Sequence, residues 1–158
     1  MRTTTFLATL AVGLLVVGAA IAAPGSVLAK KFKGQIIVSD ENLPMEGDEA
    51  TIAEALKKAA KTTLERKGTD PWAFNFVGFL SKKPGTDKVS FLVYNVGTGK
   101  REYLTTKEIS VEPDATILAS SVELTEDDGI KPGTKAELVL ATFGAKQVDL
   151  AKVKVTFK

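Results

Sequence analysis

Ile117-Leu118-Ala119-Ser120-Ser121-Val122-Glu123-Leu124, Thr125-Glu126-Asp127-Asp128-Gly129-Ile130-Lys131-Pro132-Gly133-Thr134, Lys135-Ala136-Glu137-Leu138-Val139-Leu140-Ala141-Thr142: this run decides the fold. Val122 and Leu124 close a strand, and the acidic and Pro-Gly segment turns the chain. Ala136, Leu138, Leu140 and Thr142 then alternate with Lys135, Glu137, Val139 and Ala141, the period of a strand. Gly144-Ala145-Lys146-Gln147 turns again. A last strand sets Ala151, Val153, Val155 and Phe157 against Lys152, Lys154 and Thr156. Residues 117–157 therefore read strand, turn, strand, turn, strand.

Working back toward the start, the same grammar repeats. Trp72, Phe74 and Phe76 share one face of a strand, while Val77 and Phe79 lie on the other. A strand apolar on both sides belongs in the middle of a sheet covered twice. Lys88 to Asn95 alternates Val89, Phe91 and Val93 with Ser90, Leu92 and Tyr94, and residues 101–106 form a shorter, more polar strand suited to an edge. Phe32, Gly34, Ile36 and Val38 alternate with Lys33, Gln35, Ile37 and Ser39, giving a first strand over about 32–39.

One segment breaks the pattern. Over 48–67, Ile52, Ala53, Leu56, Ala59, Ala60, Thr63 and Leu64 fall on one helical arc, opposite Glu54, Lys57, Lys58, Lys61 and Glu65. Asp48 is placed to cap the helix and Gly68 to end it. Its Ala-rich apolar arc has no aromatics, so it suits a helix laid on a sheet better than one lying on a membrane.

About seven strands at short spacing with turns between them predict a mainly β fold: an antiparallel β-sandwich with one amphipathic helix inserted after the first strand. The turn Ile130-Lys131-Pro132-Gly133-Thr134-Lys135-Ala136 resembles the one that enters the penultimate strand of fibronectin type III domains. The resemblance covers the last third of the chain and implies an immunoglobulin-like sandwich. Ala136 stands where that family carries a tyrosine, so the corner hydrogen bond of its hydroxyl is missing. The helix is also foreign to that family.

Composition limits the chemistry. The chain has 158 residues, the length of a single domain. With 0 Cys and 0 His, no disulfide, thiolate metal site, His-based triad or His-bound zinc can form. The formal net charge of +2 is too small for a nucleic-acid partner. No acid stands inside an apolar run, and Ser nucleophiles lack a His base. The reading is therefore of a non-enzyme with no catalytic, cofactor-binding or metal-binding residues. Gly97-Thr98-Gly99-Lys100 lacks the first glycine and the Ser/Thr of a phosphate loop and reads as a hairpin turn.

The start of the chain is the strongest pointer to location. Arg2 is followed by an apolar run over 6–23, and small residues lead through Ala22 to Ala29. That is the order of a secretory signal. The expectation is a signal peptide over 1–29, cleaved after Ala29 with Ala22 as the other candidate, and one domain over 30–158 with no membrane span after cleavage; a retained membrane anchor is the competing reading of the same apolar run. Removing one Arg from 21 basic residues leaves 20 against 19 acids, near neutrality.

The expected function is an exported, non-catalytic module that binds a protein or cell-envelope component, secreted, periplasmic or at the cell surface. Tyr103 and Trp72 are the candidate aromatic contacts, and Asp127 and Asp128 the candidate polar ones. Two other readings compete. Acidic loops could hold Ca²⁺ or another ligand, and loops 81–87, 96–100 and 125–133 could inhibit a secreted hydrolase. The strand at 101–106 could take an added partner strand if its edge is open, unless Lys100, Arg101 and Lys107 guard it.

Overall fold

The computed structural model describes residues 26–158; the first 25 residues of the expected signal peptide lie outside the described residues. The elements are α1 (Val27–Lys31), β1 (Gln35–Ser39), α2 (Glu49–Ala59), β2 (Thr63–Leu64), β3 (Trp72–Phe79), β4 (Lys88–Asn95), β5 (Glu102–Ser110), β6 (Ile117–Leu124), the 3₁₀ turn η1 (Glu126–Asp128), β7 (Lys135–Phe143) and β8 (Gln147–Phe157).

The strand order is β5-β4-β7-β8-β1-β3-β6, with β2 beside β8. The link between β8 and β1 is a single bridge, Gln35 to Lys152. Two sheets thus fold against each other at a narrow seam: β1-β3-β6, and β5-β4-β7-β8. In the lettering of immunoglobulin-type sandwiches these are A-B-E and C′-C-F-G. The fold is a mainly β, immunoglobulin-like sandwich. The two contacts of β8 with β1 and β2 are parallel, which corrects a purely antiparallel reading.

Alternation builds the interior. Trp72, Phe74 and Phe76 from β3 meet Phe91 and Val93 from β4, Leu138 and Leu140 from β7, and Phe157 from β8. Phe91 has no exposed surface and lies 5.0 Å from Phe76 and 6.2 Å from Phe74, ring centre to ring centre. Each fully buried side chain of this kind contributes about 1.5–3 kcal/mol, which is how the sandwich holds without disulfides. Gly78 interrupts the aromatic row because Leu140 fills its place: a Cβ there would lie 2.3 Å from Leu140 Cδ1. Gly78→Val is expected to destabilise the domain by about 1–3 kcal/mol through overpacking, checked by urea unfolding.

The outer side of the small sheet is covered too. Val77, Phe79 and Ile117 pack with Ile52, Ala53 and Leu56 of α2 and with Leu28 and Phe32 around α1. The two-sided burial expected of β3 is therefore present, with the helices as the second cover.

Three boundaries differ from expectation. The first strand begins at Gln35, not at 32, because Phe32 caps α1 and stacks on Phe79 at 4.9 Å. The helix ends at Ala59, not at 67: Lys61 N donates to Val38 O at 2.9 Å, and Thr63–Leu64 pair with Thr156–Phe157. Adjacent β-branched Thr62 and Thr63 and a buried seat for Leu64 outweigh the helical pattern there. Gly68 instead takes a left-handed turn in the following loop. The strand expected at 101–106 runs from Glu102 to Ser110 and is an edge, as foreseen.

The Pro-Gly turn behaves as its sequence demands. Gly133 has φ 90°, a conformation that favours glycine, and its N–H donates to Phe157 O at 2.7 Å. Ala136, in the place of the family tyrosine, is buried at the start of β7.

Candidate functional site

The structure gives the four candidate residues different environments. Trp72 is 1% exposed. Its Nε1 donates to Lys158 O at 2.8 Å, Phe157 meets it edge-on, and the Arg66 guanidinium lies 3.9 Å above its ring. It anchors the C-terminus and offers no surface to a ligand. Tyr103 is 55% exposed and stands edge-on to Tyr94 on the outer face of the large sheet.

Asp127 and Asp128 are neighbours with different environments. Asp127 points to solvent from η1. Asp128 is turned inward. Its Oδ1 accepts from Lys107 Nζ at 2.8 Å and Thr105 Oγ1 at 3.0 Å, and its Oδ2 accepts from Thr125 N at 2.9 Å. Glu126 of the same turn pairs with Arg66, and Ile130 just beyond is fully buried. The β6–β7 connection is thereby pinned across the sandwich onto β5.

Burial alone would push the Asp128 carboxyl up. The hydrogen bonds from Lys107, Thr125 and Thr105 together outweigh it and hold it below the ordinary 3.8. A carboxyl lowered by folding contributes stability above its unfolded value, and that contribution is lost as pH falls through the folded one. Asp128→Asn is expected to cost about 1–2 kcal/mol at pH 7. The gap from the unsubstituted protein should close as pH drops below 3.8, as read by paired urea unfolding series.

A second network went unread in the sequence. Arg101 Nε donates to Glu137 Oε2 at 2.8 Å, and Arg101 Nη1 reaches Asp149 Oδ2 at 3.4 Å. Gln147 Nε2 donates to Asp149 Oδ1 at 2.7 Å and Tyr94 OH to Gln147 Oε1 at 3.1 Å. The Arg101 guanidinium sits 4.7 Å from the centre of the Tyr94 ring. Beneath this lattice Leu92, Tyr94, Val139 and Ala141 form a third apolar cluster. Glu137 is 7% exposed, so an acid does stand inside an apolar run, between Ala136 and Leu138. The available signal was a lone acid within β7 facing an arginine at the hairpin before β5.

The least satisfied part of the surface is the open side of the sandwich. β5 and β6 are the two edges of the strand order. A cleft of about 330 Å³ between them is lined by Lys107, Glu108, Ile109, Ser120, Ser121, Val122 and Glu123. Of Lys100, Arg101 and Lys107, expected to guard this edge, Arg101 lies on the outer face with Glu137, Lys107 lines the cleft and pairs with Asp128, and Lys100 is exposed. Lys88 pairs with Glu108 at 2.6 Å. Among the described residues β4 is the only strand paired with β5.

Among the described residues no group of three or more Asp or Glu is placed to hold a metal ion. Among them, too, no helix is long and apolar enough to cross a membrane.

No protein-family model matches the chain, and no curated protein is significantly similar to it. Among solved structures, an immunoglobulin-like protein from Pseudomonas aeruginosa is similar at 14% identity, covering 80% of this chain and 94% of the other with a TM-score of 0.42. A likeness that distant carries no weight; the sandwich rests on the strand order and the shared interior.

Proposed function

We propose that the chain is an exported, non-catalytic module that binds a protein, taking an extended segment of its partner along the open side between β5 and β6. One observation carries this reading: the two edge strands of the strand order border one cleft, and Arg101, the cation just before β5, is drawn away from it to Glu137 on the outer face. A sheet edge offers alternating N–H and C=O groups, which an added strand satisfies and a compact ligand does not. Ile109 and Val122 supply an apolar floor, and Glu123 an acidic rim. The segment that fits has apolar side chains at alternate positions and basic or neutral ones between them.

Selection of linear peptides from a random displayed library tests this. Binders should show that alternation. On binding, backbone amides within Glu102–Ser110 or Ile117–Leu124 should gain protection from hydrogen exchange. Binders that leave both strands unprotected and perturb the Tyr103 face instead would sink the proposal.

A further inference from the structure

This inference rests on the export reading and adds the point at which the chain is cut. The sequence offers two small-residue exits, Ala20-Ile21-Ala22 and Val27-Leu28-Ala29. The second falls inside α1. The Ser26 hydroxyl caps that helix by accepting from Ala29 N at 3.0 Å, and Val27 N donates to Glu49 Oε2 at 2.9 Å, tying α1 to the start of α2. Leu28 is 4% exposed and packs with Phe32, Leu56 and Phe79. A cut after Ala29 would remove the cap, the tie to α2 and a core leucine, leaving Lys30 and Lys31 as a frayed end.

We infer that the export peptidase cuts between Ala22 and Ala23, so that the mature domain keeps residues 26–31 as part of its helical cover. Ala20 and Ala22 meet the small-residue requirement at the third and first positions before the cut. A cut after Ala23 would put Ile21 at the third position and Pro24 at the new N-terminus, departing from that pattern. The reaction is hydrolysis. Water adds across the Ala22–Ala23 amide; Ala22 leaves as a carboxylate on the signal fragment, and Ala23 becomes the free α-ammonium of the domain. Ala23-Pro24-Gly25 then stands between the cut and the first residue of the capped helix.

The test is the intact mass of the full-length chain after secretion from a host with a small-residue export peptidase. The expected product starts at Ala23. Ala22→Leu should accumulate precursor, whereas Ala29→Glu should leave the product mass changed only by the substitution. A product starting at Lys30, or precursor accumulation on Ala29→Glu, overturns this inference and leaves export standing. Precursor retained by the unsubstituted chain, while a control signal fused to residues 23–158 is cut, overturns export and this inference together. As an independent readout, purified 30–158 should melt about 5–15 °C below purified 23–158, the shift for losing a buried leucine from a domain of this size. Equal melting temperatures would show that α1 is dispensable and remove the physical ground for the inference.

Discussion

Trp72→Ala is expected to lower the unfolding free energy by about 3–5 kcal/mol, the range for emptying a large aromatic site. Three contacts converge on this side chain: the hydrogen bond to Lys158 O, the edge of Phe157 and the Arg66 guanidinium. Phe157 also forms part of the pairing of β8 with β2, so the cavity would reach the strand that closes the sandwich. Trp72→Phe separates the contributions. It keeps much of the ring and loses the indole N–H, and should cost roughly 1–2 kcal/mol. Urea unfolding monitored by far-ultraviolet circular dichroism checks both, because the change removes the only tryptophan as a fluorescence probe. A loss below about 1 kcal/mol for Trp72→Ala would mean that the site collapses and that the C-terminal anchor has no energetic role.

Arg101→Ala is expected to cost about 2–3 kcal/mol. It strands the Glu137 carboxylate, only 7% exposed, with Asp149 nearby, and removes the guanidinium stacked on Tyr94. Breaking a fully buried pair costs about 3–5 kcal/mol; the Arg101 side chain is 36% exposed, so water softens the loss. Adding Glu137→Gln to Arg101→Ala should recover about 1 kcal/mol, because the uncompensated charge disappears while its shape remains. A double variant less stable than Arg101→Ala would show that packing alone, not charge, explains the arrangement. Neither substitution touches the cleft between β5 and β6, so peptide binding there should survive both.

The parts of the fold that were legible in the sequence are those with an uninterrupted period of two. Residues 135–142 and 147–157 alternate cleanly and became β7 and β8. Residues 72–79 were apolar on both faces and became the twice-covered β3. Failures came where two local signals conflicted. Leu64 continued the helical arc of α2 but was drawn into the pairing with β8, and helix geometry cannot offer that contact at any register. Phe32 matched the alternation of Ile36 and Val38, yet it packs from the turn that ends α1 onto Phe79. The site was harder to read, since pairing between distant side chains leaves no periodic mark. Lys107 and Asp128 are far apart in sequence, and so are Arg101, Glu137 and Asp149. Tyr103 was recognised as exposed because it sits in a polar strand. Trp72, the other candidate aromatic contact, is a structural anchor because its N–H finds a backbone partner inside the domain.

The single bridge from Gln35 to Lys152 also governs how the domain would answer a mechanical load. Tension applied through the N-terminal side of β1 and the C-terminal end of β8 would shear these parallel neighbours past one another, and one bridge is all that couples them directly. β1 is instead zipped to β3 over Gln35–Ser39, and β8 to β7 over nearly its whole length. Each sheet would stay intact, and slip at the seam would have to break the β2–β8 pairing and the packed interior as well. In a tethered chain of this design the load would pass to the β2–β8 pairing, the Trp72 anchor on Lys158 and the common interior rather than to the β1–β8 contact.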